Sequence, residues 1–229
     1  MWIDLFLCLL FAHLLADFVF QTNKTCRIKK EKKLCGPHLY FHALLVFALS
    51  WAASWNMSFW LCALIIGVSH LLIDLWKTCR EEKVEWFAID QLLHIGILAG
   101  MAYAWCSCNE WYNPLDLSPR TIGVVAAALI CWKPANIFIK LMLKRYRVST
   151  PDQNGESPFN AGALIGTIER WLILIFVLLH HYEALGLLIA AKSIIRFSES
   201  QKNQSEYVLA GTLMSIIIAV LSGLLVSIL

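Results

Sequence analysis

The feature that most constrains this chain is a series of long apolar runs, each close to the length that lets a helix cross a bilayer. An α-helix rises 1.5 Å per residue, so about 20 residues span a hydrocarbon core about 30 Å thick. Charged residues form 15% and hydrophobic residues 59% of the 229 residues, whereas ordinary globular domains carry about 25% charged residues. The sequence therefore predicts an integral membrane protein.

We identify about eight runs of this kind, of which the seventh is short, so that seven spans plus a re-entrant segment is an alternative. They cover residues 2–20, 37–55, 58–76, 86–106, 121–143, 161–181, 184–199 and 206–228. The predicted fold class is an all-α, polytopic membrane helix bundle with about eight transmembrane helices in two four-helix halves. The first half covers residues 1–106, an external linker 107–120, and the second half 121–229.

The lysines and arginines indicate how the bundle is oriented. Sixteen of the 19 basic residues fall at alternate connections, within residues 24–33, 77–83, 140–147 and 192–202. Basic residues are retained on the cytoplasmic side of short loops, so both termini are expected outside. The apolar start has no basic segment before it and no small-residue cleavage site, so a removed signal peptide is not expected. The net charge of +3 comes from these inner loops and predicts contact with membrane lipid headgroups, not nucleic acid.

Four histidine and aspartate pairs interrupt the apolar helices of the first half. The stretch "FAHLLADFVFQTNK" contains the first pair, and "PHLYFH", "SHLLID" and "DQLLH" contain the others. In every pair the two residues are four positions apart, which places both side chains on one helix face about one turn apart. The four pairs are His13 and Asp17, His38 and His42, His70 and Asp74, and Asp90 and His94.

The predicted topology places these eight residues at a similar depth. The first and third helices run inward and carry their pairs late, while the second and fourth run outward and carry theirs early. An uncompensated Asp at depth in a membrane costs roughly 2.5–3.5 kcal/mol, so three of them would cost on the order of 10 kcal/mol, which rivals a typical folding free energy. Their charge must therefore be compensated.

Two explanations compete for this compensation. Each pair alone is explained by interhelical hydrogen bonds, with Lys77 neutralising Asp74. Five imidazoles and three carboxylates at one level, however, offer more acceptors than donors. A divalent metal resolves the excess, and imidazole with carboxylate suits zinc first, with iron or manganese as alternatives, as one ion or two. All eight residues are candidate ligands, and Asp17, Asp74 and Asp90 are also candidate catalytic carboxylates.

These motifs resemble a known family. The segments "HLLADFVFQ", "HLYFH", "HLLIDLWK" and "DQLLH" are similar to the signature of the bacterial membrane-protein family catalogued as domain of unknown function 3307. The match covers roughly residues 5–105, and Gln21, Lys77 and Gln91 flank the pairs as they do in the family. The resemblance implies a multi-pass protein of the bacterial inner membrane and supplies no substrate. We interpret the three flanking residues as supports for the metal ligands.

The second half carries a separate polar group. Glu169 is predicted about two turns deep in the sixth helix, and Lys192 and Arg196 are one turn apart on the seventh. One explanation is a salt bridge that neutralises Glu169. The other is that Lys192 and Arg196, with Glu169 beside them, bind the phosphate of a substrate, a task that the arginine fork suits.

Three functional classes fit these features. A metal-dependent hydrolase at the cytoplasmic face would act on an amphiphile such as a phospholipid or prenyl phosphate, with a spare carboxylate as general base. A divalent-metal or proton-coupled transporter or sensor would use the same ionisable groups. A di-iron membrane oxidase would need closely clustered histidines, of which only His38 and His42 are an example. We favour the hydrolase.

The predicted orientation can be tested with reporter fusions. Reporters fused after Ser50, Cys108 and Leu229 are expected to report an external location, because the basic residues concentrate at the opposite connections. A cytoplasmic signal after Cys108 would contradict both the orientation and the equal depth of the four pairs.

Overall fold

In the computed structural model of this protein, residues 1–22, 36–113, 117–146, 161–197 and 202–229 are described, with side chains from 162 to 194 and from 209 onward in the last two segments. All regular structure within these ranges is helical, which confirms the all-α class. The α-helices are α1 (Trp2–Leu14), α2 (Pro37–Ser54), α3 (Trp60–Thr78), α4 (Val84–Cys108), α5 (Pro119–Ile130), α6 (Lys133–Arg145), α7 (Ala161–Leu178), α8 (Tyr182–Phe197) and α9 (Lys202–Ile228).

The chain divides into two compact units, Met1–Ala126 and Ala127–Leu229. In the first unit each of the four helices α1 to α4 packs against two others: α1 against α2 and α4, and α3 against α2 and α4. This closed ring gives every helix an inward face. Its apolar core includes Leu5, Leu9, Val46, Phe59 and Leu98.

Local sequence signals determine where α2 begins and ends. Pro37 is its first residue, a position that tolerates proline because the N–H there has no intrahelical partner, and Gly36 before it is extended. The helix ends where Trp55 takes a left-handed conformation with φ 51°. The side chain of Asn56 then accepts a hydrogen bond from the Ser58 amide at 2.9 Å. These signals place His38 in the first turn of α2 and His42 one turn later.

The C-terminal end of the first predicted span is not α-helical. α1 continues without a break into a π-helix, Leu15–Phe20, and the backbone becomes extended at Gln21. A π-helix is rare and occurs mostly as single turns at functional sites. Here it contains Asp17.

Residues just beyond α4 pack with the first unit. Trp111 is buried in the same core, and its indole Nε1 donates to the Ser54 carbonyl at 2.7 Å. Trp111 lies within the segment 107–120 that the sequence suggests as an external linker. This tryptophan therefore anchors the start of that segment to the end of α2.

The second unit is organised around a buried guanidinium. Arg170 of α7 is 1% exposed and donates to the Cys131 carbonyl at 2.6 Å and to Asn136 Oδ1 at 2.6 Å. It also donates to Ser215 Oγ at 2.9 Å and Thr167 Oγ1 at 3.1 Å. These neutral acceptors lie on or beside α6, α7 and α9, so one side chain joins three parts of the unit.

Fewer helices qualify as membrane spans than the eight that the sequence suggests. By length and hydropathy, the described residues contain four candidates: Trp2–Phe20, Met57–Thr78, Val84–Cys108 and Leu209–Ile228. The pair Pro119–Ile130 and Lys133–Arg145 is a fifth if its 41° bend belongs to one broken span. This bend falls in the predicted run 121–143, because Pro134 has no N–H to donate and its ring would clash with the Ile130 carbonyl in a continuous helix.

Two of the other helices fall short for physical reasons. α2 has 18 residues, with Pro37, His38 and His42 in its first two turns, which lowers its hydropathy. α8 has 16 residues, fewer than the ~20 that a span requires. Within the described residues four or five helices could therefore cross a membrane, and the number eight stays a prediction.

Gly223 provides a stability test of the α7–α9 contact. A Cβ at this position would lie 2.6 Å from Val177 Cγ1 and 2.9 Å from Val177 Cβ. The β-branched valine has little freedom to move aside, so Gly223→Ala is expected to destabilise the protein by about 1–3 kcal/mol. The measurement is thermal unfolding of the detergent-solubilised protein. Gly186→Ala in α8 is the control, since no atom lies within 4 Å of its added Cβ. A midpoint for Gly223→Ala equal to that of Gly186→Ala would contradict this contact.

Candidate metal centre

Seven of the eight paired residues come together inside the first unit. They form three overlapping groups whose possible ligand atoms lie within 4.8 Å of one another. His70 belongs to the first two groups and Asp74 to the last two, so the groups form one continuous cluster. The groups are His13, Asp17 and His70; His42, His70 and Asp74; and Asp74, Asp90 and His94.

The closest convergence involves three helical elements. Nε2 of His42 on α2 lies 3.1 Å from Asp17 Oδ1 on the π-helix and 3.0 Å from His70 Nε2 on α3. The third side of this triangle, from His70 Nε2 to Asp17 Oδ1, is 3.3 Å. Asp74 Oδ2 lies 3.8 Å from each of the two imidazole nitrogens. The Nε2 atoms of His42 and His70 thus lie between the carboxylates of Asp17 and Asp74, within 3.8 Å of each.

These separations match the edges of a metal coordination shell. Ligand atoms bound at about 2.0–2.2 Å with bond angles between octahedral and tetrahedral values are about 2.8–3.6 Å apart. The triangle formed by Asp17, His42 and His70 has sides of 3.0, 3.1 and 3.3 Å. The side chains therefore fit a cation bound at their centre.

Hydrogen bonds alone do not satisfy this triangle. A neutral imidazole has one N–H, and an imidazole nitrogen that carries the proton cannot also accept. The two Nε2 atoms of His42 and His70 face each other and also face one carboxylate oxygen, so three close contacts share at most two protons. A cation at the centre would accept a lone pair from every corner and satisfy all three atoms.

A second part of the cluster surrounds Asp90 of α4. Its Oδ2 accepts hydrogen bonds from the ammonium of Lys77 and from Gln91 Nε2, the latter at 3.0 Å. Its Oδ1 lies 3.4 Å from His94 Nε2, without the alignment of a hydrogen bond. The imidazole ring of His94 stacks on that of His70, with centroids 4.0 Å apart.

Three buried polar atoms in the cluster have no hydrogen-bond partner among the described residues. They are His13 Nε2, Asp90 Oδ1 and His94 Nε2. Such atoms are rare in native structures, because each one costs about 1–3 kcal/mol when left without a partner. Their presence in the only part of the first unit where histidine and aspartate groups converge, within the described residues, indicates that the buried groups could hold a metal ion.

Two of the predicted site residues lie apart from this cluster. His38, predicted as a ligand, belongs to none of the three groups, because it lies in the first turn of α2, one turn before His42. Gln21 follows the π-helix, where the backbone has become extended. Within the described residues its side chain makes no hydrogen bond to the cluster.

Lys77 has a different partner from the one proposed above. Its ammonium pairs with Asp90 on α4 and not with Asp74, one turn before it on its own helix. The side chain of Lys77 is 37% exposed, while that of Asp90 is fully buried. Lys77 therefore connects the interior of the cluster to the surface of the unit.

The predicted substrate-binding residues belong to the second unit. Glu169 and Lys192 form an ion pair, as the simpler explanation of Glu169 requires. Arg196 lies on α8, but its side chain is outside the described residues. Glu169 and Lys192 line a small pocket of about 60 Å³ whose other walls are mainly apolar residues of α7, α8 and α9.

Two features of the structure could not be predicted from the four histidine and aspartate pairs of the sequence. The π-helix at Asp17 has no recognised sequence signal, since "LADFVF" is an ordinary apolar helical segment. Arg170 is more deeply buried than its neighbour Glu169, and the signal that could have identified it is the presence of Asn136 and Thr167 on otherwise apolar helices.

Comparison with known proteins gives one match. No curated protein and no solved structure matches the chain. Residues 5–115 match the sequence model of a family described as "Protein of unknown function (DUF3307)". This region contains all seven clustered residues together with Lys77 and Gln91. Residues 5–115 of the chain are therefore a DUF3307 region, a family of proteins of unknown function.

Proposed function

We propose that this protein is a membrane-embedded metal-binding protein whose principal ligands are Asp17, His42 and His70, with Asp74 as the fourth. The observation that carries the proposal is the triangle of ligand atoms, 3.0–3.3 Å on a side, contributed by three separate helical elements. Bundle proteins build metal sites in this way, from side chains that project inward from facing helices.

The charge of the cluster also supports a divalent cation. Asp17, Asp74 and Asp90 contribute three negative charges, and Lys77 contributes one positive charge. With neutral imidazoles the cluster therefore carries two net negative charges in a buried position. One divalent ion neutralises them, which removes a cost of several kcal/mol in a membrane interior.

The ligand types favour zinc, with iron or manganese as alternatives. Two imidazoles and a carboxylate suit zinc, manganese and non-haem iron, whereas magnesium and calcium prefer shells made of oxygen atoms. Zinc sites are usually tetrahedral, and Asp17, His42, His70 and Asp74 would supply four ligands. If Asp74 were not bound, the ion would keep three protein ligands and have one open coordination position.

We further propose that the centre hydrolyses a phosphate-bearing amphiphile, such as a phospholipid or a prenyl phosphate. A bound metal ion would supply Lewis-acid chemistry and lower the pKa of a coordinated water toward ~7. The Asp74 carboxylate, once it is no longer bound to this ion, would accept the proton from the attacking water as the water oxygen bonds to phosphorus. When the P–O ester bond breaks, the same carboxylic acid would return the proton to the leaving alcohol.

Lys77 supports an anionic substrate at this site. Its side chain reaches from the buried carboxylate of Asp90 to the surface, so an incoming phosphate would meet a positive charge beside the ligands. In the second unit, Lys192 already pairs with Glu169. The phosphate-binding role of Glu169, Lys192 and Arg196 stays a prediction, and Lys77 is a candidate for this task within the unit that contains the cluster.

Metal binding is tested by exchanging one ligand for its uncharged isostere. Asp17→Asn keeps the shape of the side chain but removes a ligand charge. Loss of a supporting contact to a metal ligand costs 10–100-fold in affinity, so loss of this ligand is expected to weaken Zn²⁺ affinity by at least about 10-fold. Equilibrium dialysis with elemental analysis measures the effect. Asp4→Asn in α1 is the matched control, because Asp4 pairs with the N-terminal amine at 2.5 Å, away from the cluster. Equal affinity in the two variants would contradict the proposed centre.

The reaction is tested on purified, metal-replete protein with phospholipids and prenyl phosphates in mixed micelles. Phosphate or alcohol release is expected from at least one substrate class, and Asp74→Asn is expected to abolish it, because the proton acceptor is lost. Full activity of Asp74→Asn would exclude that role for Asp74. If the protein is inactive on every substrate but moves Zn²⁺ into liposomes, the proposed function becomes transport instead of hydrolysis.

A further inference from the structure

We infer that the cluster contains a second cation site, formed by Asp74, Asp90 and His94, directly beside the first. This inference rests on the proposed metal centre and extends it to two ions, with Asp74 shared between them. The ligand atoms of these three residues lie within 4.8 Å of one another. None of these three residues belongs to the group formed by His13, Asp17 and His70.

Two atoms of the second site are buried and without a hydrogen-bond partner among the described residues. Asp90 is 0% exposed and His94 3% exposed, yet Asp90 Oδ1 and His94 Nε2 have no such partner. They lie 3.4 Å apart, which is the separation of two ligands on one metal ion. A cation bound between Asp90 Oδ1 and His94 Nε2 would explain why these two atoms have no other partner.

The neighbours of Asp90 and His94 hold these two atoms in place. Lys77 and Gln91 both donate to Asp90 Oδ2, so the carboxylate is held with Oδ1 directed into the cluster. Stacking on His70 fixes the plane of the His94 ring. The ring of His13 lies 5.0 Å from that of His94. The unpartnered Nε2 of His13 is an additional possible metal ligand.

Asp74 is the residue that would join the two sites. It belongs to the group with His42 and His70 and also to the group with Asp90 and His94. A carboxylate has two oxygens and about four lone-pair directions, so it can bind one ion through each oxygen. Two-metal sites use ions about 3.5–4 Å apart, and two adjoining groups that share one carboxylate fit this arrangement.

Lys77 determines how strongly the second ion would bind. Its ammonium already neutralises Asp90, and one divalent ion neutralises the remaining two charges of the cluster. A second divalent ion would therefore be repelled by the positive charge of Lys77. We expect it to bind more weakly than the first, and we expect removal of the Lys77 charge to strengthen it.

The experiment compares the stoichiometry of Zn²⁺ binding in the full-length, detergent-purified protein and four variants. Wild type is expected to bind two ions, the second at least about 10-fold more weakly because of the nearby ammonium. Asp90→Asn and His94→Gln are expected to bind one. Lys77→Met is expected to bind two, with the second at least about 10-fold tighter than in wild type, whereas the control Lys83→Met should behave as wild type, since Lys83 is exposed and pairs with Glu81.

A second measurement reports directly on the distance between the ions. Protein loaded with Mn²⁺ is expected to show the exchange-coupled electron paramagnetic resonance spectrum of two adjacent ions, and this coupling should disappear in His94→Gln. Tighter binding in Lys77→Met cannot result from misfolding, so this variant keeps the test informative if Asp90→Asn does not fold.

The outcomes separate the two proposals. One ion in both wild type and Lys77→Met, still dependent on Asp17, would overturn the second site and leave the first intact. Two ions that persist in both Asp90→Asn and His94→Gln would overturn the assigned location. No bound ion in wild type would overturn the metal centre and the second site together.

Discussion

The structure of the first unit depends on how three buried carboxylates are neutralised. Asp17, Asp74 and Asp90 project into a ring of four helices where water is excluded, and Lys77 compensates only one of the three charges. The imidazoles around them offer hydrogen bonds but no net charge when neutral. Ligand atoms of three helical elements nevertheless approach within 3.0–3.3 Å of one another, and the proposed cation would supply the missing positive charge at that point.

The sequence predicted this convergence to a large extent, because the four-residue spacing fixes which side chains share a helix face. It could not show how far each pair reaches into the bundle. His38 and His42 share a face of α2, yet only His42 joins the cluster, since the approach of the neighbouring helices is a tertiary property. The same limit applies to Lys77, whose long side chain reaches Asp90 on the next helix instead of Asp74 on its own. The helical class was predictable from hydropathy. The number of spans is less well determined by it, because α2 is too polar and α8 too short to satisfy that criterion alone.

The second unit also contains charged side chains within its helices, and they are compensated by other contacts. Glu169 is neutralised by a neighbouring ammonium, but Arg170 keeps its charge among a backbone carbonyl, two hydroxyls and an amide oxygen. Arginine has five donors in a fixed plane, so it can join several helices where a carboxylate, which only accepts, would need donors that apolar helices rarely supply. Arg170 is therefore best understood as a structural residue, and the adjacent Gly166 leaves room for it, since a Cβ there would lie 3.2 Å from the guanidinium Nη1.

The π-helix explains why the Asp17 carboxylate lies closer to histidines of the neighbouring helices than to His13 of its own helix. In a continuous α-helix, Asp17 would lie directly below His13 and the two would pair with each other. The wider turn of Leu15–Phe20 changes the direction of the side chain, so its carboxylate lies 3.9 Å from His13 Nε2 but 3.1 Å from His42 Nε2 and 3.3 Å from His70 Nε2. A hydrogen bond within α1 is thereby exchanged for contacts with α2 and α3, and His13 Nε2 is left without a partner among the described residues. This exchange costs stability in the absence of a ligand. In the proposed metal centre, a cation that binds the lone pairs brought together by the π-helix would recover it.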